Sequence, residues 1–407
     1  MKRVVITGMG IWSCIGQDLQ TVTESLKQGK SGIIYDPKRL EVGLHGCLVG
    51  NVPRPELKSL LDRRYRVNMS QDAEYGFMAA RQAFEQAGVN KDYLDANEVG
   101  IIFGNDGIIS GMADSYEVML QYRDSLMVGP SALFRGETSS VTMNLATIFH
   151  LRGINCCIGA ACASSSHAIG IGTTFIRAGL QSMILVGGSV EIDMRGAISI
   201  DAVEALSLRN DDPAHASRPF DRDRDGMVSS GGAAALVLEE YEHAKARGAT
   251  ILAEVCGYGF SSNGHDEISM PSADAEYIAM KRALDDAGLQ PTDIDYVNAH
   301  ATSTIAGDIE EAKALTRLFD GTKSPMISST KSMTGHENWM AGASEAVYSI
   351  LMMQNGFVAP NINLERKIDE AKDLNIVTET VYAPINTVLS NSSGMGGTNS
   401  ALVFKKI

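Results

Sequence analysis

The residues between Asn155 and Gly170 carry the clearest chemical signal in this chain. A short apolar run ends there at small residues, and a helical pattern follows with Cys162 in its first turn. The start of a helix favours a thiolate, because its unpaired N–H groups and its dipole attract negative charge. A cysteine is more often a buried structural residue than a nucleophile, so this assignment requires partner residues.

Two histidines downstream lie among similarly small residues. His300 lies within residues 298–304, and His336 ends the segment 329–336, which also contains Lys331. A thiolate can accept an acyl group from a thioester, and imidazole N–H groups can stabilise an enolate oxygen. Proteolysis by a Cys-His pair uses one histidine and would leave the second histidine and Lys331 without a role. The set therefore indicates carbon–carbon bond formation on thioesters.

A glycine-rich segment, residues 391–400, is the third candidate part of the site. Glycine clusters often form tight turns between strands. The spacing differs from the G-x-G-x-x-G of dinucleotide sites, so we do not expect a bound nucleotide. A loop that brings backbone N–H groups to an oxyanion fits this segment better.

The elements that must position these residues repeat along the chain. Residues 81–89 and 281–289 both resemble a helix that ends at a glycine, followed by a polar link and an apolar strand. A duplicated fold would bring the strands before Cys162 and His336 to one edge, where ligands of open α/β sheets bind. Alternating strands and helices predict layered α/β architecture with helices on both sheet faces. We expect residues 105–150 and 190–235 to be irregular insertions.

Composition excludes several function classes. Thirty-five basic and forty-nine acidic residues give a net charge of −14, which argues against nucleic-acid binding. The six cysteines show no metal-ligand spacing and fit a reducing compartment. The apolar run near the start is short and breaks at glycines, unlike a signal peptide, and no run approaches the roughly 18 residues of a membrane span. We therefore expect a cytoplasmic protein without metal, nucleic-acid or membrane partners.

In combination these motifs resemble the β-ketoacyl-acyl-carrier-protein synthases of the condensing-enzyme family, over essentially the whole chain. The matching segments are residues 2–8, 161–165, 217–226, 298–300 and 329–336. The Cys-His-His set is similar to the elongating ketosynthases I and II, not to the initiating class with Cys-His-Asn. The resemblance implies a duplicated thiolase-like α/β fold, layered α-β-α-β-α with two mixed five-stranded sheets. Its halves would be residues 1–250, with the nucleophile, and 251–407, with the other site residues.

The resemblance also implies a reaction. The enzyme would be an acyltransferase that performs a decarboxylative Claisen condensation of an acyl-enzyme thioester with malonyl-acyl-carrier protein, giving 3-oxoacyl-acyl-carrier protein. Cys162 would accept the acyl group. His300 and His336 would bind the malonyl thioester carbonyl, and Lys331, with Glu311 as its partner, would maintain the charge pattern around His336.

Other site residues follow from the same resemblance. Backbone N–H groups of Cys162 and Met395 would form the oxyanion hole, and Thr302 and Thr304 would support the site. The side chain of Met395 would gate the acyl chain. Ala301, Ile305, Ser393 and Met395 stand where the family usually has Gly, Pro, Phe and Phe. None of these changes removes a catalytic group, but together they make a polyketide or polyene pathway an equal alternative to primary fatty-acid synthesis.

The implied partner is an acyl-carrier protein, which brings the phosphopantetheine; the enzyme itself would need no cofactor beyond its covalent acyl-cysteine. Because carrier and enzyme are both acidic, docking requires a local basic patch, for which Arg63, Arg64 and Arg66 are the candidates. The alternative for these arginines is a solvated helix start paired with Asp62. A dimer is expected, with residues 105–112 and the following segment as candidate contacts.

Three other assignments compete with an elongating homodimer. The chain could be the catalytic subunit of a heterodimer with a homologous chain-length-determining subunit. A non-catalytic subunit of that kind is disfavoured, because such subunits lack the cysteine that is present here as Cys162. A thiolase acting on coenzyme A thioesters is also less favoured, because thiolases use a second cysteine late in the chain and none follows Cys256.

Overall fold

Fourteen strands form the framework of the protein in a computed structural model that describes residues 1–264 and 267–407. They are β1 (Val4–Trp12), β2 (Ile33–Tyr35), β3 (Leu48–Gly50), β4 (Gly100–Gly104), β5 (Asn155–Ile158), β6 (Met183–Val190), β7 (Gly232–Glu240), β8 (Ala253–Ser262), β9 (Tyr296–Asn298), β10 (Met326–Ser328), β11 (Phe357–Val358), β12 (Val381–Tyr382), β13 (Thr387–Gly394) and β14 (Thr398–Lys405).

The strands alternate with helices of four to sixteen residues. These are α1 (Leu19–Gln28), α2 (Pro37–Glu41), α3 (Arg63–Arg66), α4 (Gln71–Gln86), α5 (Lys91–Ala96), α6 (Ser110–Tyr122), α7 (Ser131–Gly136), α8 (Ser140–Phe149), α9 (Ser164–Arg177), α10 (Met194–Ala202), α11 (Tyr241–Ala246), α12 (Ala273–Ala287), α13 (Ile305–Leu318), α14 (Lys331–Thr334) and α15 (Ala341–Asn355). Two short 3-10 helices also matter for the site, Ala161–Ala163 and Asn338–Met340.

Ten of the strands form two groups of five with the same internal order. The first group runs β5-β4-β6-β7-β1 and the second β10-β9-β13-β14-β8, so each strand has a counterpart in the other half. Parallel and antiparallel neighbours are mixed in both. Two residue pairs between β1 and β8, Val5 with Glu254 and Ile6 with Ala253, join the groups, so hydrogen bonding continues over ten strands. The predicted boundary at residue 250 falls between α11 and β8.

Helices lie on and between the two groups of strands. Helix α4 packs on β1 and β7 of the first group, and α12 packs on β8 and β14 of the second. Helices α9 and α15 contact strands of both groups and contact each other. This arrangement gives the predicted α-β-α-β-α layers and places α9 and α15 at the centre of the molecule.

In both halves a glycine allows a helix to pack closely against a strand. A Cβ atom added at Gly8 would lie 2.0 Å from the carbonyl oxygen of Ala83 in α4, and one at Gly257 would lie 2.2 Å from that of Ala283 in α12. A larger residue at either position would push the helix away from its strand. The duplication predicted from the ends of these two helices is therefore confirmed.

The expectation of irregular insertions is wrong for residues 105–150, most of which are helical in α6, α7 and α8. Helix α6 has no buried residue, so its apolar side chains do not pack on the core of this chain. Residues 190–235 contain α10 between loops. Among the described residues no helix is both long and apolar enough to cross a membrane.

Candidate active site

The cysteine lies on a tight turn between β5 and α9. Cys162 is the middle residue of the 3-10 helix, and Ala161 before it has φ of 45°, a conformation that costs energy for any residue with a Cβ. The N–H of Ala161 donates to Asp106 Oδ2 at 2.9 Å, and the Ser164 hydroxyl donates to the Ala161 carbonyl at 2.6 Å. These bonds fix the turn, so the thiol is held at the start of α9 as predicted.

Both histidine rings lie close to the thiol of Cys162. His336 Nε2 lies 2.9 Å from Cys162 Sγ, and the ring centroids of His300 and His336 are 5.2 Å apart at 87°. The sulfur and one nitrogen from each ring all lie within 4.8 Å of one another. Each residue follows the carboxyl end of a strand: β5 for Cys162, β9 for His300 and β10 for His336. The predicted convergence of these three residues is confirmed.

The charge state of the site differs from the expectation for the thiol. Burial raises the pKa of Cys162, and the N–H of Met395 and the charge of Lys331 offset only part of this effect. The predicted preference for a thiolate is therefore wrong for the resting site. Burial and Lys331 lower the pKa of both His300 and His336 well below the ordinary value, so these rings are neutral at neutral pH. A neutral His336 beside a thiol can accept its proton.

The partner of Lys331 is Glu345, and the prediction of Glu311 is wrong. Lys331 Nζ contacts Glu345 Oε1 in an ion pair whose side chains are both 1% exposed. Glu345 projects from the middle of α15, where burial raises the pKa of its carboxyl and the charge of Lys331 opposes that rise. No sequence argument pointed to Glu345. The available signal was that it is the one charged residue in the helix Ala341–Asn355.

Glu311 supports the site in another way. Its carboxylate accepts the backbone N–H groups of His300 at 2.7 Å and Ala301 at 2.6 Å, and the side-chain amide of Asn391 at 2.8 Å. Glu311 therefore holds the loop that carries the first histidine. Ala301 is buried in this loop, and Ile305, at the start of α13, is 62% exposed.

The glycine-rich segment is the turn of the β13–β14 hairpin. Gly396 and Gly397 have φ of 90° and 89°, which a side chain would oppose. The turn places the N–H of Met395 close enough to the Cys162 sulfur to favour its charged form. The Met395 side chain is 59% exposed and Ser393 is half-buried. Residues 391–400 therefore form a tight turn between strands and also supply a backbone N–H donor, the two roles that the sequence analysis treated as alternatives.

The predicted supporting residues lie beside the first histidine, and the predicted docking residues lie on α3. The hydroxyls of Thr302 and Thr304 are 3.0 Å apart on the loop after His300. Arg63 and Arg64 are exposed on the single turn of α3. These arginines are on a different element from the catalytic residues.

The remaining arginine of the predicted patch differs from the other two. Arg66 is half-buried and donates to the Leu61 carbonyl at 3.0 Å, while Arg64 lies 3.8 Å from Asp62. Both the docking surface and the paired helix start are thus compatible with this turn. Arg63 and Arg64 are the exposed members of the patch.

A metal ion is the other chemistry that a Cys-His-His set could support. Within residues 1–264 and 267–407 this is the one group of His, Cys or acidic side chains close enough together to hold an ion. The charge of Lys331, which lowers the pKa of both histidines, also opposes a cation there. The donor set fits thioester chemistry better than metal binding.

Comparisons with known proteins agree with this geometry. The N-terminal domain model of β-ketoacyl synthase matches residues 1–244, and the C-terminal domain model matches residues 252–365. The chain is 42% identical to 3-oxoacyl-[acyl-carrier-protein] synthase 1 of Escherichia coli over the full length of both proteins.

Solved structures give the same result. A β-ketoacyl synthase from Burkholderia phymatum superimposes with a TM-score of 0.94 at 35% identity, covering all of both chains. The ishigamide ketosynthase/chain length factor superimposes with a TM-score of 0.92 at 30% identity, covering 100% of this chain and 99% of that one. With its Cys-His-His centre at the strand ends of a duplicated α/β fold, this chain belongs to the β-ketoacyl synthase family.

Proposed function

We propose that this enzyme elongates acyl chains by decarboxylative Claisen condensation with malonyl-acyl-carrier protein. The observation that carries the proposal is the contact between His336 Nε2 and Cys162 Sγ, with His300 beside it. One thiol and two neutral imidazoles supply an acyl acceptor and two hydrogen-bond donors for a developing oxyanion.

The first half-reaction loads the cysteine. His336 accepts the proton of Cys162 as the sulfur attacks the acyl thioester of the carrier. The tetrahedral oxyanion lies against the N–H groups of Cys162 and Met395. The carrier thiolate then leaves, taking a proton, and the acyl group remains on the Cys162 sulfur.

The second half-reaction forms the carbon–carbon bond. The malonyl thioester carbonyl binds between His300 and His336, and loss of carbon dioxide leaves an enolate whose oxygen their N–H groups stabilise. The enolate carbon attacks the acyl-enzyme carbonyl, the bond to sulfur breaks, and 3-oxoacyl-acyl-carrier protein is released. The Cys162 thiolate that is released takes up a proton from solvent, which regenerates the thiol.

An acyl-carrier protein is the proposed partner, as the name of the Escherichia coli relative implies for that enzyme. Arg63 and Arg64 offer it an exposed positive surface on an enzyme whose net charge is −14. The enzyme requires no resident cofactor for either half-reaction. Its six cysteines are free, which fits a reducing cytoplasm.

A dimer completes the proposal. Met112, Tyr116 and Leu120 form a stripe at helical spacing on α6, and they are 61%, 65% and 44% exposed. Strand β5 forms one edge of the ten-stranded sheet, and an edge strand of the described structure can pair with a strand of another chain. Such a surface fits a second copy of this chain. A homologous chain-length subunit is the alternative, favoured by the match to a ketosynthase/chain length factor.

The decisive experiment separates the two half-reactions. Cys162→Ala should abolish condensation and acyl-enzyme formation, while decarboxylation of malonyl-carrier protein persists because it uses His300 and His336. Intact-protein mass spectrometry and carbon dioxide release measure the two steps. Condensation by Cys162→Ala at a near-native rate would overturn the assignment.

A further inference from the structure

His167 carries a half-buried imidazole on α9 that neither half-reaction uses. Its Nδ1 lies 2.6 Å from the Tyr258 hydroxyl, and its Nε2 lies 3.0 Å from the Thr398 hydroxyl. Burial lowers the pKa of His167 to about 4, so at neutral pH the ring is neutral and offers one N–H donor and one acceptor. Each hydroxyl can donate or accept, so both contacts are satisfied at once. The ring therefore connects α9 with β8 and β14.

The two ends of this connection carry the two donors of the oxyanion hole. His167 lies in the first turn of α9, directly after the 3-10 helix that contains Cys162. Thr398 is the first residue of β14 and pairs with Gly394 across the turn that contains Met395. The cysteine belongs to the first half of the duplicated fold and the methionine to the second. The distance between their N–H groups therefore depends on how α9 and the hairpin are held together.

The hairpin turn packs directly on the nucleophile turn. A Cβ atom added at Gly394 would lie 2.8 Å from the carbonyl oxygen of Ala160. The next residues of the turn include two glycines with positive φ, and glycine restricts its own backbone less than any other residue. Contacts at the base of the turn must then fix the position of the Met395 N–H. The contact between His167 and Thr398 lies at that base.

Neighbouring contacts hold the imidazole in place. Ser166 Oγ lies 2.6 Å from Ser400 Oγ, so a second polar contact joins α9 to β14. A Cβ atom added at Gly170 would lie 2.3 Å from the ring of Tyr258, which shows that this ring packs on α9 itself. The rings of His167 and Tyr258 are nearly perpendicular, at 86°. The position of α9 is thus transmitted through the imidazole to the hairpin.

We propose that His167 is a positioning residue for the oxyanion hole, because through Thr398 it fixes the hairpin that carries the Met395 N–H. The inference rests on the proposed function, since the oxyanion hole serves the acyl transfers of that reaction. Donors stabilise an oxyanion only where they match the developing oxygen, and a displacement of about 1 Å costs roughly a hundredfold in rate. His167 should therefore affect the steps that pass through a tetrahedral intermediate. Steps that use the thiol alone, or the two catalytic histidines alone, should not depend on it.

Three reactions of the full-length protein separate these steps. Transfer of an acyl group from acyl-carrier protein to Cys162 needs the oxyanion hole, and intact-protein mass spectrometry follows it. Alkylation of Cys162 by iodoacetamide displaces iodide and builds no charge on a carbonyl oxygen, and mass spectrometry of the Cys162 peptide measures it. Malonyl decarboxylation in the Cys162→Ala background needs His300 and His336, and it is followed as carbon dioxide release.

Substitution of His167 should slow one of these reactions. His167→Leu removes both hydrogen bonds and should slow acyl transfer by roughly ten- to a hundredfold, with less than about a twofold change in alkylation and decarboxylation. Thr398→Val removes the hydroxyl, keeps the shape of the side chain and should reproduce this loss, so it keeps the test decisive if His167→Leu lowers stability. The amide of His167→Gln reaches the position of Nε2 and should retain much of the rate. The shorter amide of His167→Asn reaches only the position of Nδ1 and should not.

The matched control is His243→Gln. His243 Nε2 also lies close to a tyrosine hydroxyl, at 3.3 Å from that of Tyr93, but this histidine belongs to α11. The control should leave all three rates unchanged. Circular dichroism melting verifies that each variant is folded.

The outcomes separate this inference from the proposed function. Unchanged acyl transfer in His167→Leu and Thr398→Val would overturn the inference and leave the function intact. A loss with His167→Leu alone would also overturn it, because the effect would not pass through Thr398. Equal losses in all three reactions would do the same, since His167 would then support the whole site. If the wild type accepts no acyl group on Cys162 and the Cys162→Ala protein decarboxylates no malonyl-carrier protein, the proposed function fails, and this inference with it.

Discussion

Lys331 forms its buried ion pair with Glu345 of α15, while Glu311 holds the backbone of His300. Two carboxylates from different helices therefore stabilise different parts of the site. One compensates the charge of Lys331, which acts together with burial to keep both histidines neutral. The other fixes the loop that aims the first histidine. Substitution of Glu345 and substitution of Glu311 should therefore have different effects.

Glu345→Gln should destabilise the fold. It leaves Lys331 buried without a negative partner, and breaking such a pair lowers the free energy of unfolding by about 3–5 kcal/mol. Urea unfolding followed by circular dichroism measures this. The control is Glu242→Gln, which breaks an exposed pair with Lys245 (3.2 Å) and should change the free energy of unfolding by less than about 1 kcal/mol. Equal effects of the two changes would contradict the role of Glu345.

Glu311→Gln should act on the second half-reaction. An amide offers one acceptor oxygen where the carboxylate accepts both His300 N–H and Ala301 N–H, so the loop must shift. Misplacing His300 should slow malonyl decarboxylation by roughly a hundredfold. Acylation of Cys162, which relies on His336, should fall much less. Carbon dioxide release and mass spectrometry measure the two rates, and an equal loss in both would show that the change disturbs the whole site.

Stability should depend on pH through Glu337, which is 1% exposed beside His336. Burial raises the pKa of Glu337 to about 7, although Ser344 and Tyr348 donate to it. The native state therefore binds this proton more tightly than the unfolded chain, whose glutamate pKa is about 4.3. This contribution is fully present below about pH 4 and is lost as pH rises through about 7.

The variant Glu337→Gln isolates that contribution. Its side chain does not titrate, whereas Asp308 and Glu345, whose pKa values are also raised, titrate alike in both proteins. The difference in unfolding free energy between variant and wild type should move in favour of the variant by about 3 kcal/mol between about pH 4 and pH 8. Urea unfolding across that range measures it. A difference independent of pH would show that Glu337 is not protonated in the fold.

Carrier docking should depend on the exposed arginines of α3. Arg63→Glu with Arg64→Glu should raise the KM for carrier-bound substrate, and raised salt should reproduce the effect in the wild type. Reaction with a small thioester that lacks the carrier should be unaffected. The control is Lys323→Glu with Lys372→Glu, which reverses two exposed charges elsewhere and should leave KM unchanged. Equal loss with both substrates would place the arginines in folding or catalysis.

Assembly should depend on the apolar stripe of α6. Tyr116→Glu with Leu120→Glu places two charges in the proposed contact, so light scattering should show a particle of half the wild-type mass. Leu180→Glu changes a comparably exposed apolar residue, 65% exposed, outside that helix and should leave the dimer intact. A wild-type protein that is monomeric and fully active would refute the assembly.

The sequence located the reacting groups because their positions follow strand ends. Cys162 and His300 come shortly after β5 and β9, and His336 follows β10 beyond the short helix α14. Ligands of open α/β sheets bind at such strand ends. The sequence pattern did not predict which side chains from different layers of the fold form pairs. Glu311 and Glu345 both lie on helices, and helical spacing does not show which helix faces Lys331 in the folded protein.

The extent to which a side chain is buried was the second property that the sequence pattern did not predict. The helix-start position of Cys162 correctly placed the thiol, but the sign of its pKa shift depends on how much protein surrounds the sulfur. Helix α6 was missed for a different reason. Its apolar residues Met112, Tyr116 and Leu120 do recur at helical spacing, but the Met, Gly and charged residues of this region favoured an irregular insertion.

The hairpin that carries Met395 completes the site from the far end of the chain. Strand β14 lies between β8 and β13, so the turn cannot form until nearly every residue has been synthesised. During translation Cys162 leaves the ribosome long before His300, His336 and that hairpin exist. The emerging thiol is then an ordinary one, without base or oxyanion donors. A nascent or prematurely terminated chain therefore lacks both the base and the oxyanion donors, and the catalytic site assembles only after the hairpin has been made.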